Sequence, residues 1–153
     1  IVVGTYPIAV EVVGKKAYPK TATEAKFSLP YCVAAALIYG KVGLKEFSEE
    51  KLGSPEALRL SNKVKAEVSA EYAEARLGCA KVAIRTKNGE EYTCQVDVPK
   101  GYPKNPLTKN ELEEKFKALA SIVSAEERIK DIIKAVNNLE KISVRDLANL
   151  LEK

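Results

Sequence analysis

The chain is poor in the residues that usually do chemistry. It has no histidine, so imidazole acid–base catalysis and histidine metal ligation are excluded. Its cysteines, Cys32, Cys79 and Cys94, show no CxxC spacing. Three is an odd number, which argues against a closed disulfide framework and for a reducing, cytoplasmic compartment. A zinc site wants four ligands, which three scattered cysteines without histidine do not supply. No glycine-rich phosphate loop and no nucleophile–base pair can be read from the order of residues. The best-placed carboxylates have another use. Glu24, Glu111 and Glu127 each follow a Ser or Thr by three residues, which is the capping-box spacing.

The elements that would carry any site divide the chain in two. Ile1 to Thr5 reads as a short buried strand. Ile8 to Val13 reads equally as a helical turn or a second strand. Thr21 with Glu24 predicts a first helical turn through Phe27. Ser28 then caps a main helix with Pro30 in its first turn and Gly40 as its stop. That helix, Tyr31 to Tyr39, is apolar on every face and so needs cover on most sides. Phe47 to Leu52 and Pro55 to Leu60 are short helical pieces, the second capped by Ser54. Val64 to Tyr72 alternates strictly and predicts a strand with one wet side. Ala80, Val82 and Ile84 pattern one further strand; Tyr92, Cys94, Val96 and Val98 pattern the next.

The turn at Asn88-Gly89 fixes how these last two strands pair. A two-residue loop would set Ile84 against Thr93 and mix the faces. A three-residue loop, Lys87 to Gly89, pairs Ile84 with Tyr92 and Val82 with Cys94, and puts Gly89 where positive φ is needed. From Pro99 to Pro106 three prolines predict an extended connector. Only helices follow. Thr108 with Glu111, Ser124 with Glu127, and Ser143 are the expected caps. Their apolar stripes are Leu112, Phe116, Leu119, Val123; Ile129, Ile132, Ile133, Val136, Leu139; and Val144, Leu147, Leu150, Leu151. The expected class is α+β, with a partly antiparallel sheet and packed helices in residues 1–98, a connector at 99–106, and a helical segment at 107–153.

Composition narrows the partners. The 153 residues carry 25 Lys+Arg against 21 Asp+Glu, spread without a basic block. That argues against nucleic acid as a partner. The longest apolar run, Cys32 to Tyr39, is too short to span a membrane. The chain opens on Ile-Val-Val and contains no methionine, which predicts a part of something longer.

The segment Ala25-Lys-Phe-Ser-Leu-Pro-Tyr31, with Val33 to Leu37 and Gly40 behind it, resembles the C-terminal region of the MmgE/PrpD family. Further motifs follow in the family's order. They are Phe47-Ser-Glu-Glu-Lys-Leu with Ser54-Pro, Lys87-Asn-Gly89, Pro99-Lys-Gly-Tyr-Pro-Lys-Asn-Pro-Leu107, and Glu111-Leu-Glu-Glu-Lys-Phe116. The resemblance implies that residues 1–98 are most of a lid-type domain, incomplete at its start. The last helices would return to a large N-terminal helical domain, on the same or a separate chain, and the enzyme would be a homodimer.

The family's implied chemistry is removal of water from a tricarboxylate such as 2-methylcitrate, or a related decarboxylation or epimerisation, with no metal or organic cofactor. It implies Tyr31 as a catalytic hydrogen-bond donor or acid, and Lys26 and Ser28 as contacts for substrate carboxylates. Each has a plainer use: Tyr31 as core packing, Lys26 as a solvated cation, Ser28 as a helix cap. Phe27 stands where some relatives carry histidine. Lys100, Tyr102 and Lys104 read first as linker residues. Lacking histidine and a paired acid and base, the chain is expected to be inactive alone. The rival expectation is a non-catalytic binding or assembly subunit.

Overall fold

The computed structural model describes residues 1–75 and 78–152. The chain forms two compact units, Ile1–Pro99 and Lys100–Lys153.

The first unit is the α+β part. Strand β1 (Val2–Thr5) is followed by helices α1 (Pro7–Val13), α2 (Ala22–Lys26), α3 (Leu29–Tyr39), α4 (Glu49–Leu52) and α5 (Pro55–Ser61). Strands β2 (Lys65–Val68), β3 (Ala80–Arg85) and β4 (Glu91–Val96) come after them. The four strands make one sheet in the order β2-β1-β3-β4, with β1 parallel to β2 and antiparallel to β3. The segment 8–13 resolves as helix: Pro7, with its φ preset and no N–H to satisfy, occupies the first turn of α1.

The hairpin has the register that face-matching requires. Ile84 pairs with Tyr92 and Val82 with Cys94. Gly89 has φ +86°, a region that disfavours residues with a Cβ. The second strand is shorter than the alternation suggests. Among the described residues it pairs with β1 alone, four residues long, and the ladder closes at Val68↔Thr5. The Ser69 amide makes the last bond, to the Thr5 carbonyl. Ala70–Tyr72 then turns into a short 3-10 helix. Tyr72 is buried all the same, whereas Val68 is half exposed.

Helix α3 carries the core. Thr21 caps α2 by accepting the Glu24 amide. The Glu24 carboxylate does not complete the box; it takes the Lys20 amide at 2.7 Å and the Lys16 ammonium at 2.6 Å. Ser28 caps α3, and Gly40, at φ +71°, ends it. Tyr31, Ala34 and Ala35 are fully buried, as are Ala25 and Ala57 from α2 and α5. Small side chains let the helices approach closely, which is how an all-apolar helix is covered.

The second unit begins with a tight turn. The Gly101 amide bonds the Asn105 carbonyl at 2.7 Å, and the Asn105 amide the Tyr102 carbonyl at 2.8 Å. Pro99 and Pro106 therefore flank a turn that contains Pro103, not an extended segment. Helices α6 (Lys109–Ala120), α7 (Glu126–Val136) and α8 (Val144–Leu151) follow. Thr108 and Ser143 form full capping boxes with Glu111 and Asp146. Ser124 does not cap α7, as the spacing suggests it should. Its amide closes the preceding turn on the Ala120 carbonyl, so the N-cap falls on Ala125. Among the described residues no helix is long and apolar enough to cross a membrane.

Candidate functional site

The corner between α2 and α3 brings the three expected site residues together. Ser28 sits in the bend with extended backbone, φ −118° and ψ 99°. Its Oγ accepts the Tyr31 amide at 3.1 Å and donates to the Lys16 carbonyl. One hydroxyl thus closes the N-terminus of α3 and ties the 14–20 loop to it. Its residue is fully buried. The cap reading of Ser28 is thus realised in full, with both of its hydrogen-bonding roles occupied.

Tyr31 lies one turn into α3 and points inward. Its ring has no solvent exposure. Its Oη donates to the Glu46 carbonyl at 2.7 Å, and its ring packs tilted on Phe47, 6.2 Å between centroids. Burial raises the phenol's pKa above its ordinary value, with smaller contributions from Tyr39, Cys32 and Glu46. A buried phenol that donates to a carbonyl holds its proton. Cys32, next along, has its thiol pushed up by burial, so it is a small apolar residue and not a nucleophile.

Lys26 ends α2 with its side chain outside. Its Nζ stands 6.0 Å from the Phe47 ring centroid, at the outer reach of a cation–π contact. No carboxylate pairs with it among the described residues. The neighbouring cation, Lys16, is taken by Glu24, whose carboxyl is held below its ordinary pKa chiefly by that bond. Of the three expected site residues, Lys26 offers an ammonium without a carboxylate partner among the described residues, Tyr31 a proton-bearing buried phenol, and Ser28 a hydroxyl that already accepts and donates. None of the three is paired with another as acid and base. No group of three or more His, Cys, Asp or Glu is placed to hold a metal among the described residues.

Sequence reasoning overlooked the floor of this corner. Phe47, at the end of the 3-10 turn Leu44–Phe47, packs on Tyr31 and presents its ring face to Lys26. Glu46 is buried, and its carboxylate accepts the Gly43 amide at 2.7 Å. The hint in the sequence was that Phe47 opens one of the motifs shared with the family. Away from the corner, Lys100 pairs with Glu111 at 3.0 Å and Tyr102 belongs to the 101–105 turn. These are structural jobs.

The sequence profile of the MmgE/PrpD C-terminal domain matches residues 1–141. The chain belongs to the MmgE/PrpD family. It is 29% identical over 126 residues to the cis-aconitate decarboxylase of Homo sapiens, covering 82% of this chain and 26% of that protein. It is 34% identical over 134 residues to the cis-aconitate decarboxylase-like protein oryM of Aspergillus oryzae, covering 87% and 27%. It is 30% identical over 138 residues to the cis-aconitate decarboxylase of Aspergillus terreus, covering 88% and 28%. The chain spans about a quarter of the length of these curated relatives.

Proposed function

We propose that this chain is the C-terminal part of a lyase acting on a tricarboxylate, working without metal or organic cofactor and inactive by itself. The observation that carries the reading is the family match over residues 1–141 together with relatives described as cis-aconitate decarboxylases. The corner at Lys26, Ser28 and Tyr31 is consistent with it. Lyase chemistry on a polycarboxylate needs cations for the carboxylates, a base or electron sink at the reacting carbon, and a proton donor. Lys26 supplies an open cation. Tyr31 supplies a phenol that stays protonated at neutral pH. Its proton is committed to the Glu46 carbonyl in this chain, so service to a substrate requires that bond to be exchanged. The remaining groups would come from an N-terminal helical domain, in the same or a separate chain, within a homodimer.

Two substrates divide this reading. The relatives' descriptions favour cis-aconitate, with loss of carbon dioxide and protonation of the carbon left behind. The family resemblance also implies 2-methylcitrate, with loss of water as in a hydro-lyase. A non-catalytic binding or assembly subunit is the second reading. It draws on the exposed apolar side chains Ile122, Val123 and Val144 of the second unit.

The test is turnover of cis-aconitate and of 2-methylcitrate, followed by proton NMR. It is run with this chain alone and with the longest native polypeptide that contains it. The chain alone is expected to turn over neither, and the longer polypeptide to convert one. Turnover by the chain alone would overturn its inactivity. A longer polypeptide silent on both substrates would leave the subunit reading in possession.

A further inference from the structure

We propose that Phe47 is a positioning residue for Lys26, holding its ammonium where a substrate carboxylate is met. This rests on the reading above that Lys26 contacts a tricarboxylate. Three contacts fix the turn and the ring it carries. The Tyr31 hydroxyl pins the Glu46 carbonyl just before it. The Glu46 carboxylate closes the same turn on the Gly43 amide. The Tyr31 ring packs against the Phe47 ring itself. Phe47 joins the buried cluster of Ala25, Tyr31, Ala35, Leu52 and Ala57 at its edge. It is thus a fixed surface, not a loose side chain.

Lys26 has a flexible stem and no acid partner among the described residues. Among the described residues the face of the Phe47 ring, 6.0 Å from Nζ, is the partner that the ammonium has. A cation restrained before the ligand arrives loses less freedom on binding. Lys51 over Tyr39, at 4.4 Å, is a second such contact, on another aromatic ring at the edge of the same cluster, and serves as an internal comparison.

The experiment uses the longest native polypeptide that contains this chain, selectively labelled at lysine, with citrate as the probe, and reads the Lys26 ε-methylene proton shifts by NMR. In the absence of citrate, Phe47→Leu is expected to remove the upfield ring-current displacement, and Phe47→Tyr to restore it. On titration, Phe47→Leu is expected to weaken the apparent citrate affinity about two- to fivefold, with Phe47→Tyr close to the parent and Lys51→Gln without effect. The tyrosine variant keeps the core ring, so it remains informative even if leucine disturbs folding. An unchanged ring-current shift in Phe47→Leu, or an unchanged affinity once the shift is lost, overturns the positioning role alone. A citrate response that is absent in the parent polypeptide, or that survives Lys26→Gln, removes Lys26 as a carboxylate contact and the proposal with it.

Discussion

The two units hold themselves together by different means. In the first, polar groups distant in sequence close the core. Tyr31 reaches Glu46, Ser61 reaches the Ala17 carbonyl at 2.7 Å, and Thr5 reaches the Cys79 carbonyl at 2.7 Å. In the second, most of the polar contacts are local caps, Thr108 with Glu111 and Ser143 with Asp146, joined by two longer-range bonds outside a closed core, Arg128 Nε to the Leu150 carbonyl at 2.9 Å and the exposed Asn137 side-chain amide to Glu113 at 3.0 Å. Its apolar surface stays open, with Val144 86% and Val123 74% exposed. Burial multiplies the worth of each polar contact, because an unmade bond inside costs more than one in water. The first unit should therefore respond sharply to single substitutions at buried polar positions. The second should respond mildly, and to conditions that titrate its caps.

The largest effect is expected from Tyr31→Ala. Removing a fully buried aromatic side chain should cost about 3–5 kcal/mol in urea denaturation followed at the first unit. Tyr31→Phe keeps the packing but orphans the Glu46 carbonyl, at about 1–3 kcal/mol. If the two variants are equally stable, the aromatic packing is not what holds this region. Next is Ser28→Ala, which removes the cap of α3 and its tie to Lys16, at about 1–2 kcal/mol. The comparable cap in the second unit, Ser143→Ala, should cost less, about 1 kcal/mol or under, because its serine is exposed. Equal costs would erase the contrast between the units.

The mildest effect is a pH response in the second unit. Glu111 is held at a pKa of about 2 by the Thr108 amide, then the Thr108 hydroxyl, then Lys100. Its folded pKa lies below the ordinary 4.5. The stabilisation is complete above about pH 4.5 and is lost as pH falls towards 2. Glu111→Gln should be less stable than the parent at neutral pH, and the gap should narrow over that acid window. A gap independent of pH would mean that the carboxylate's charge is not what the cap uses.

Much of this arrangement was legible locally. The hairpin register followed from keeping Val82, Ile84, Tyr92 and Cys94 on one face, with Gly89 in the turn. The caps at Ser28, Ser54, Thr108 and Ser143, and the stop at Gly40, followed from short-range hydrogen bonding. Failures occurred where two local options competed. Ser124 matches a capping box, but its amide was already needed to end α6. Val64–Tyr72 alternates like a long strand, but a ladder extends only as far as its partner, and β1 ends at Thr5. Glu24 has capping-box spacing, but the Lys20 amide and Lys16 ammonium compete for its carboxylate.

What the sequence by itself determined was therefore the α+β class, most element boundaries and the family, since these rest on periodicity, capping chemistry and motif order within a few residues. Only the tertiary structure decided the order β2-β1-β3-β4. It also decided that Tyr31 faces inward onto Glu46, that Ser28 answers Lys16, and that Phe47 lies under Lys26. Each of these joins groups 12 or more residues apart. No local pattern encodes such a meeting, because it depends on which helix faces pack and which buried donors still lack an acceptor.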